Sequence, residues 1–210
     1  MNGTNNSITK NICVIGGGNW GKNHIKTLHS LNCLAGVVDS DDSVINTINK
    51  VYPTCKVFSN IDDALGMNFD GYIIATGPSS HHSLAKKIIF NKKHLLIEKP
   101  MTLNTSDARE LCDLADNNKV KLMVGHLLLF HPAFNKMKEM CSRGDIGDLQ
   151  YMYSNRLNFG TIRSTENVFW SFAPHDVSLF QYYAESSPQD ISSTGIDIIQ
   201  PGIHDSTITT

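Results

Sequence analysis

Apolar and polar positions alternate in blocks along the first part of the chain, and these blocks predict strands and helices in turn. Short apolar runs without polar interruption are typical of strands buried in a parallel sheet. The predicted strands are residues 12–15, 34–38, 71–75, 94–97 and 120–124. Helical patterns follow Gly21 and cover residues 80–91 and 104–117, which carry apolar side chains on one face. This alternation predicts βαβ units in a doubly wound parallel sheet.

The pattern changes after Gly125. A helix is predicted from Pro132 to near Gly144, and its inward-facing residues would be Phe134, Met137 and Met140. Residues 151–159 alternate like a strand of an open sheet with one covered face, and residues 172–183 predict a helix with His175 near its start. The chain ends in strand-like residues, 196–210, without a closing element. We therefore expect an α/β domain over residues 1–127 and the start of a truncated α+β domain over 128–210.

The composition, with 40% hydrophobic and 18% charged residues, indicates an ordinary globular chain. Its 18 basic and 20 acidic residues leave a net charge of −2 without a basic run, which argues against nucleic acid or an anionic membrane as partner. No apolar stretch is long enough to span a bilayer, and the polar start lacks a signal-peptide core, so we expect a cytoplasmic protein. The five cysteines form no C-x-x-C pair, which predicts buried free thiols rather than disulfides or a zinc site. No metal site is expected, because the adjacent pair His81-His82 lacks further ligands at a suitable spacing.

A glycine-rich turn follows the first predicted strand and opens the first helix. Its glycines are Gly16, Gly18 and Gly21, in the order G-x-G-x-x-G. Alone the spacing is weak evidence, because glycine triplets also occur in ordinary loops without a ligand. After a strand, at a helix start and with Asp39 ending the next strand, it is a dinucleotide-binding fingerprint. The first glycine makes the turn, the second admits the pyrophosphate, and the third lets the helix approach the sheet. Asn19 and Trp20 complete the turn and are expected at the cofactor with the glycines.

Asp39 ends the second predicted strand. A carboxylate there accepts hydrogen bonds from the ribose hydroxyls of NAD and repels the 2′-phosphate of NADP. The next residues, Ser40, Asp41 and Asp42, provide no arginine that could bind such a phosphate. The sequence therefore predicts NAD as the cofactor.

A Glu98-Lys99-Pro100 tripeptide follows the strand predicted over 94–97, so Lys99 lies at the sheet edge where open α/β proteins bind ligands. A Lys-Pro bond there can be cis and would aim the lysine inward. Together with the glycine turn, this tripeptide resembles the Gfo/Idh/MocA family of nicotinamide-dependent sugar and polyol oxidoreductases, whose cofactor domain is of the Rossmann type. The resemblance extends from residue 11 to about 183 and includes residues 74–82 (IATGPSSHH), 125–126 (GH) and 173–176 (APHD).

The resemblance implies roles for individual residues. Lys99 would hydrogen-bond the reacting hydroxyl and stabilise its alkoxide, and His175 would be the general base that removes its proton. The residues implied beside the nicotinamide and its ribose are Thr76, Pro78, His81 and Glu98. Where the family has an acidic residue four positions before the histidine, this chain has Ser171, which carries no charge.

Within that family, residues 153–158 and 170–176 most resemble enzymes that oxidise nucleotide-linked amino sugars, in particular UDP-N-acetylglucosamine 3-dehydrogenases. The candidate substrate contacts are His126, Arg156, Arg163 and Asp176. His126 could instead bond backbone, and either arginine could be a solvated surface residue. Two alternatives stay open: an inositol or simple sugar dehydrogenase, and a non-catalytic NAD-binding fragment. A full-length protein would form a homo-oligomer, as a dimer or tetramer, through its open sheet.

Overall fold

A computed structural model describes residues 10–157, 162 and 166–210. The chain divides into two compact units, Met1–Gly125 and His126–Thr210. None of the described helices combines the length and the apolar character needed to cross a membrane.

Six strands of the first unit form one parallel sheet. They are β1 (Ile12–Ile15), β2 (Leu34–Val38), β3 (Lys56–Phe58), β4 (Gly71–Ile74), β5 (His94–Ile97) and β6 (Leu122–Val124). Their order across the sheet is β3-β2-β1-β4-β5-β6, which is the order of a Rossmann fold and confirms the predicted doubly wound sheet. The order reverses between β1 and β4, so the carboxyl ends of these two strands form the switch point where such sheets bind ligands.

Five helices connect these strands. They are α1 (Gly21–Ser30), α2 (Asp42–Val51), α3 (Ile61–Leu65), α4 (Pro78–Phe90) and α5 (Thr105–Asn117). The side chains of Asp41, Asn60 and Asn104 accept backbone N–H groups at the starts of α2, α3 and α5. These caps satisfy donors that have no partner within the helix. α4 begins two residues before its predicted start because Pro78 fits its first turn.

The sheet is buried on both faces. In β1, Cys13 and Ile15 belong to one apolar cluster and Val14 to the other, because side chains alternate along a strand. Tyr72 on β4 is 2% exposed, and its hydroxyl donates to the Ala64 carbonyl at 3.0 Å. Burial, together with the neighbouring Cys13, raises the pKa of Tyr72 to about 12. Two covered faces explain why these strands are continuous apolar runs in the sequence.

In its described residues the second unit contains two helices and a hairpin. They are α6 (Pro132–Ser142), α7 (Val168–Ala184), β7 (Ser193–Ile196) and β8 (Ser206–Thr209), with a 3-10 turn (Leu127–Phe130) before α6. The two strands pair in antiparallel fashion. The two helices are joined by the hydroxyl of Tyr183, which donates to the Phe134 carbonyl at 2.9 Å.

Two expectations for this unit are wrong. The strand predicted over 151–159 does not form, since residues 151–157 have no regular structure; residues 158–159 lie outside the described chain. No described strand pairs with this segment, and a strand without a partner lacks its ladder of hydrogen bonds. Met137, expected to face inward, is 44% exposed because α6 lies at the surface and contains no buried residue.

α7 begins four residues before its predicted start. The Asn167 side chain caps the helix by accepting the N–H of Trp170 at 3.0 Å, and Pro174 lies inside the helix. The expectation that His175 stands near a helix start is therefore wrong, because His175 lies about two turns into α7. Proline is common in a first helical turn, so Pro174 suggested a later start than the Asn167 cap produces.

Candidate functional site

The glycine turn lies between β1 and α1 and is shaped by close backbone contacts. Gly16 has a φ of 93°, and its N–H donates to the Val38 carbonyl at 2.8 Å. A Cβ atom on Gly21 would lie 1.8 Å from the Gly16 carbonyl oxygen, and one on Gly16 would lie 2.9 Å from the Ala75 carbonyl oxygen. The turn is therefore packed against the ends of β2 and β4, and only glycine fits at its two ends.

Gly18, in the middle of the same turn, has open space around it. A Cβ atom there would meet no atom within 4 Å. This is the position at which a dinucleotide fold lets its backbone approach a pyrophosphate, and α1 begins just beyond it. The residues present therefore fit a dinucleotide, because the ends of the turn are closed by packing while its centre is open.

Asp39 is bound to the turn from the end of β2. Its Oδ2 atom accepts the N–H of Gly17 at 2.7 Å, and its Oδ1 atom accepts the N–H of Asp41 at 2.9 Å. Each carboxylate oxygen can accept a further hydrogen bond. These contacts therefore orient Asp39 and leave its carboxylate able to bind ribose hydroxyls.

Glu98 is a buried carboxylate beyond the end of β5, with 8% of its surface exposed. Its Oε1 atom lies 2.7 Å from Nε2 of His24 on α1, and its Oε2 atom accepts the N–H of Lys99 at 3.3 Å. Burial by itself would raise the pKa of Glu98, but hydrogen bonds from the His24 and Trp20 side chains, the charge of His24 and the Lys99 N–H outweigh it and lower that pKa. A Cβ atom on Gly125 would lie 3.1 Å from the carboxylate.

His24 is a site residue that the sequence analysis did not identify. It lies in the first turn of α1, next to the glycine turn, whereas its partner Glu98 comes from a distant part of the chain. The only signal in the sequence is a histidine close behind the last glycine of the fingerprint. Through Glu98, this histidine links the cofactor turn to the segment that carries Lys99.

The segment that carries Lys99 is attached to the β4–α4 loop through His81. The Lys99–Pro100 peptide bond is cis. The His81 ring is 1% exposed, with Nδ1 2.9 Å from the Pro100 carbonyl oxygen and Nε2 3.1 Å from that of Thr76. A neutral imidazole donates to one of these carbonyls at a time. Near His81, Pro78 opens α4, and the Thr76 hydroxyl lies 2.7 Å from that of Ser80.

The candidate residues of the second unit include an ion pair. Asp176 accepts the Arg156 Nε–H at 2.6 Å and the Ser154 hydroxyl at 2.9 Å. The structure therefore brings together two expected substrate contacts, Arg156 and Asp176, and Asp176 follows His175 in the chain. His126 precedes the 3-10 turn. Arg163 lies outside the described residues.

A separate cluster on α4 and α5 contains a histidine and two carboxylates, side chains of the types that bind metals in other proteins. His82 Nε2 lies 2.7 Å from a Glu110 oxygen, and His82 Nδ1 lies 3.9 Å from an Asp107 oxygen. Both carboxylates come from α5, so no spacing in the sequence predicts them near His82 on α4. The Lys86 ammonium lies 2.6 Å from the other Glu110 oxygen and therefore offsets the charge of the Glu110 carboxylate. The cluster is best described as a surface ion-pair network.

A comparison with protein families shows which family the chain belongs to. The model of an oxidoreductase family with an NAD-binding Rossmann fold, Gfo/Idh/MocA, matches residues 10–126. UDP-N-acetylglucosamine 3-dehydrogenase of Acidithiobacillus ferrooxidans is 29% identical over 184 residues, which cover 87% of this chain and 57% of that protein. Inositol 2-dehydrogenase of Rhizobium meliloti is 23% identical over 206 residues, which cover 94% of this chain and 62% of that protein.

Solved structures give the same result for the fold. The structure of the Acidithiobacillus ferrooxidans UDP-N-acetylglucosamine 3-dehydrogenase matches with a TM-score of 0.86 and 27% identity, over 96% of this chain and 65% of that one. Scyllo-inositol dehydrogenase from Lactobacillus casei, solved with NAD(H) and scyllo-inositol, matches with a TM-score of 0.82 over 96% of this chain and 65% of that one. At 16% identity the second match concerns the fold alone. The chain thus spans less than two thirds of these relatives.

Proposed function

Since the chain belongs to the Gfo/Idh/MocA oxidoreductase family with the NAD-binding Rossmann fold, we propose that it takes part in the NAD-dependent oxidation of a sugar hydroxyl to a ketone. The observation that carries this proposal is the glycine turn, which is closed at Gly16 and Gly21, open at Gly18 and joined to Asp39. The open position fits a pyrophosphate, and the Asp39 carboxylate fits an unphosphorylated ribose.

The chemistry divides between the cofactor and two side chains. Bound NAD would accept the hydride from the substrate carbon. The Lys99 ammonium donates a hydrogen bond to the reacting hydroxyl oxygen and stabilises its developing negative charge, an effect worth several kcal/mol in comparable sites. His175 takes the hydroxyl proton, a task suited to an imidazole near neutral pH. Thr76, Pro78, His81 and Glu98 support the nicotinamide end of the cofactor in this proposal.

The proposed substrate class is a UDP-linked N-acetyl amino sugar. The supporting observation is the similarity to UDP-N-acetylglucosamine 3-dehydrogenase, in sequence and in structure. An arginine guanidinium suits a diphosphate because it can donate two parallel hydrogen bonds. Arg156 would have to share its guanidinium between the substrate and Asp176, and His126 and Arg163 are the further proposed contacts.

Two other functions have observations in their favour. The similarity to inositol dehydrogenases favours a polyol or simple sugar as substrate. The glycine turn, which fits a dinucleotide by itself, is compatible with a protein that binds NAD without turnover. The cytoplasmic location stays a proposal, supported by five free cysteines, which are typical of a reducing compartment. The prediction that all five thiols are buried is wrong, because Cys112 is exposed on α5.

The experiment that separates these functions is a turnover assay. The chain is incubated with NAD and, separately, with UDP-N-acetylglucosamine, myo-inositol or glucose, and NADH formation is followed by its absorbance. We expect NADH only with the nucleotide sugar, and formation slower by about a hundredfold or more from Lys99→Ala. Turnover with myo-inositol alone would assign the polyol function. NADH binding without turnover of any of the three would favour the non-catalytic function.

A further inference from the structure

His81 is a buried histidine in the first turn of α4, and its ring contacts two other segments of the first unit. Its Nδ1 atom lies 2.9 Å from the carbonyl oxygen of Pro100, which follows β5. Its Nε2 atom lies 3.1 Å from the carbonyl oxygen of Thr76, which follows β4. Since β4 and β5 are neighbours in the sheet, one ring connects the carboxyl ends of two neighbouring strands, at the edge where such sheets bind ligands.

The position of the ring proton decides which of these two carbonyls His81 binds. No carboxylate among the described residues forms an ion pair with His81, and a buried imidazolium without such a partner is costly, which favours a neutral ring with one N–H. The other nitrogen then turns a lone pair towards a carbonyl oxygen, and two acceptors repel each other. The longer contact is the one between Nε2 and Thr76. The geometry therefore favours a proton on Nδ1, donated to Pro100.

Lys99 lies between two anchored backbone groups. Before it, the Glu98 N–H donates to the Ile74 carbonyl at 2.9 Å, and the Lys99 N–H donates to the Glu98 carboxylate at 3.3 Å. After it, Pro100 has no N–H, so its backbone can be anchored by a hydrogen bond only through the carbonyl that faces His81. The bond from His81 therefore fixes the chain on the far side of Lys99 and limits where the lysine side chain can reach.

We propose that His81 is a positioning residue for Lys99 and that it acts by donating its Nδ1–H to the Pro100 carbonyl. This inference rests on the proposed function, in which the Lys99 ammonium stabilises the developing alkoxide. His81 acts through Lys99, because both of its ring nitrogens face backbone carbonyls. A displacement of about 1 Å at a reacting group can lower the rate by about a hundredfold, so loss of this bond would reduce turnover without weakening the binding of NAD.

The first test reads the position of the ring proton by NMR in the unmodified chain, at neutral pH and without cofactor. The His81 ring is assigned by its through-space contacts with Thr76 and Pro100. We expect a hydrogen on Nδ1 and a lone pair on Nε2, which the chemical shifts of the two nitrogens distinguish. No substitution is needed, so this test does not depend on the folding of a variant. A proton on Nε2 alone, or on both nitrogens, would overturn the inference.

The second test uses two variants that keep a hydrogen-bond donor at different places. The amide nitrogen of an asparagine lies near the position of Nδ1 in a histidine, and that of a glutamine lies near the position of Nε2. We expect the backbone amide signal of Lys99 to shift in His81→Gln, which loses the bond to Pro100, and to stay near its original position in His81→Asn, which keeps it. His94→Asn, at an exposed histidine at the opposite end of β5, is the matched control and should leave the Lys99 signal unchanged.

Turnover separates positioning from a general packing effect. Where NADH forms, His81→Gln should lower kcat by about tenfold or more and change the KM for NAD by less than about threefold, whereas His81→Asn should keep kcat within about threefold. A merely structural role would lower the urea midpoint and the turnover alike in both variants. Equal effects of the two variants on the Lys99 signal and on kcat would therefore overturn the inference.

The NMR measurements require no turnover, so their outcome is independent of the assay that tests the proposed function. A chain that forms no NADH but shows the Nδ1 proton of His81 and the selective shift at Lys99 would contradict the proposed function and support the anchoring by His81.

Discussion

At the scale of single residues, the central contact of the first unit is the pairing of His24 with Glu98. A buried carboxylate costs free energy unless it is hydrogen-bonded, and Glu98 receives its bonds from α1 and from the Lys99 backbone. The more exposed pair of His82 with Glu110 has the same 2.7 Å separation. The two pairs therefore share this nitrogen–oxygen distance and differ in burial.

The first prediction concerns the acid stability of this buried pair. The pKa of Glu98 is lowered in the folded chain, so its contribution to stability is present above the ordinary carboxyl pKa and is lost as the pH falls through the lowered value. We expect His24→Gln to reduce the free energy of unfolding at pH 7 by about 1–3 kcal/mol. Glu98→Gln should flatten the loss of stability between about pH 5 and pH 3.

Urea unfolding at a series of pH values measures both effects. Glu110→Gln is the matched control, because its carboxylate meets a histidine at the surface, and it should change the pH dependence less than Glu98→Gln. Equal effects of the two substitutions would mean that burial of Glu98 is not what makes its pair important.

The second prediction concerns the choice of cofactor at Asp39. Asp39→Ala removes the carboxylate that would bind the ribose and that also accepts the Gly17 N–H. We expect the affinity for NADH to fall by about 10–100-fold, the range for losing a charged hydrogen bond. Adding Ser40→Arg should raise the affinity for NADPH above that for NADH.

Fluorescence titration of the two reduced cofactors provides the comparison. Asp113→Ala, on α5, removes a similar charge away from the turn and should leave the preference unchanged. If the unmodified chain bound NADH and NADPH equally well, Asp39 would not be the residue that selects the cofactor.

At the scale of secondary structure, elements with local signals could be predicted and elements that depend on distant partners could not. β2 and β5 have the bounds expected from the sequence, because a strand covered on both faces is apolar throughout. The alternation of residues 151–159 predicts a strand, yet a strand also needs a neighbouring strand to pair with. The His24–Glu98 pair was missed for a similar reason, since it joins two elements that lie far apart in the chain.

The third prediction separates the structural and the ligand-binding glycines of the turn between β1 and α1. A methyl group on Gly21 would collide with the Gly16 carbonyl oxygen, whereas one on Gly18 would enter open space. Gly21→Ala should therefore lower the stability by about 1–3 kcal/mol or more. Gly18→Ala should leave the urea midpoint nearly unchanged and weaken NADH binding at least tenfold, because it occupies the space for the pyrophosphate. Similar stability losses in both variants would contradict this division of roles.

At the scale of the whole molecule, the second unit has large apolar side chains that are exposed to solvent in a single chain. Tyr151, Tyr153 and Leu157 are 78, 77 and 91% exposed. Large apolar side chains exposed close together in the chain are typical of surfaces that associate. The homo-oligomer expected from the sequence stays a prediction, and the strand on which it was to be based does not form in residues 151–157.

The fourth prediction is that the chain self-associates through this segment. Light scattering over a range of concentrations should give an average mass that rises above the 23.3 kDa of one chain. Replacing Tyr151, Tyr153 and Leu157 together by serine should reduce the association, because it removes the apolar area that drives it. Replacing Leu31 and Phe90, which are 62 and 59% exposed in the first unit, is the control and should have no such effect. A constant mass of one chain at every concentration would exclude the prediction.

The fifth prediction concerns the roles proposed for Lys99 and His175 in turnover. If Lys99 stabilises the alkoxide, Lys99→Ala should lower turnover by about a hundredfold or more and leave NADH affinity nearly intact, because the interaction grows in the transition state. His175→Ala should remove the limb of the pH–rate profile near neutrality. The double variant should be little slower than the slower single variant, since groups that act as a unit are not additive.

Lys121→Ala, an exposed lysine just before β6, serves as the control for Lys99→Ala and should leave turnover unchanged. Effects that multiply fully in the double variant would mean that the two residues act on separate steps. An unchanged pH profile in His175→Ala would assign the base to another residue and leave the role of Lys99 intact. An unchanged rate in Lys99→Ala would contradict the enzymatic function itself, because the remaining fold would then only bind NAD.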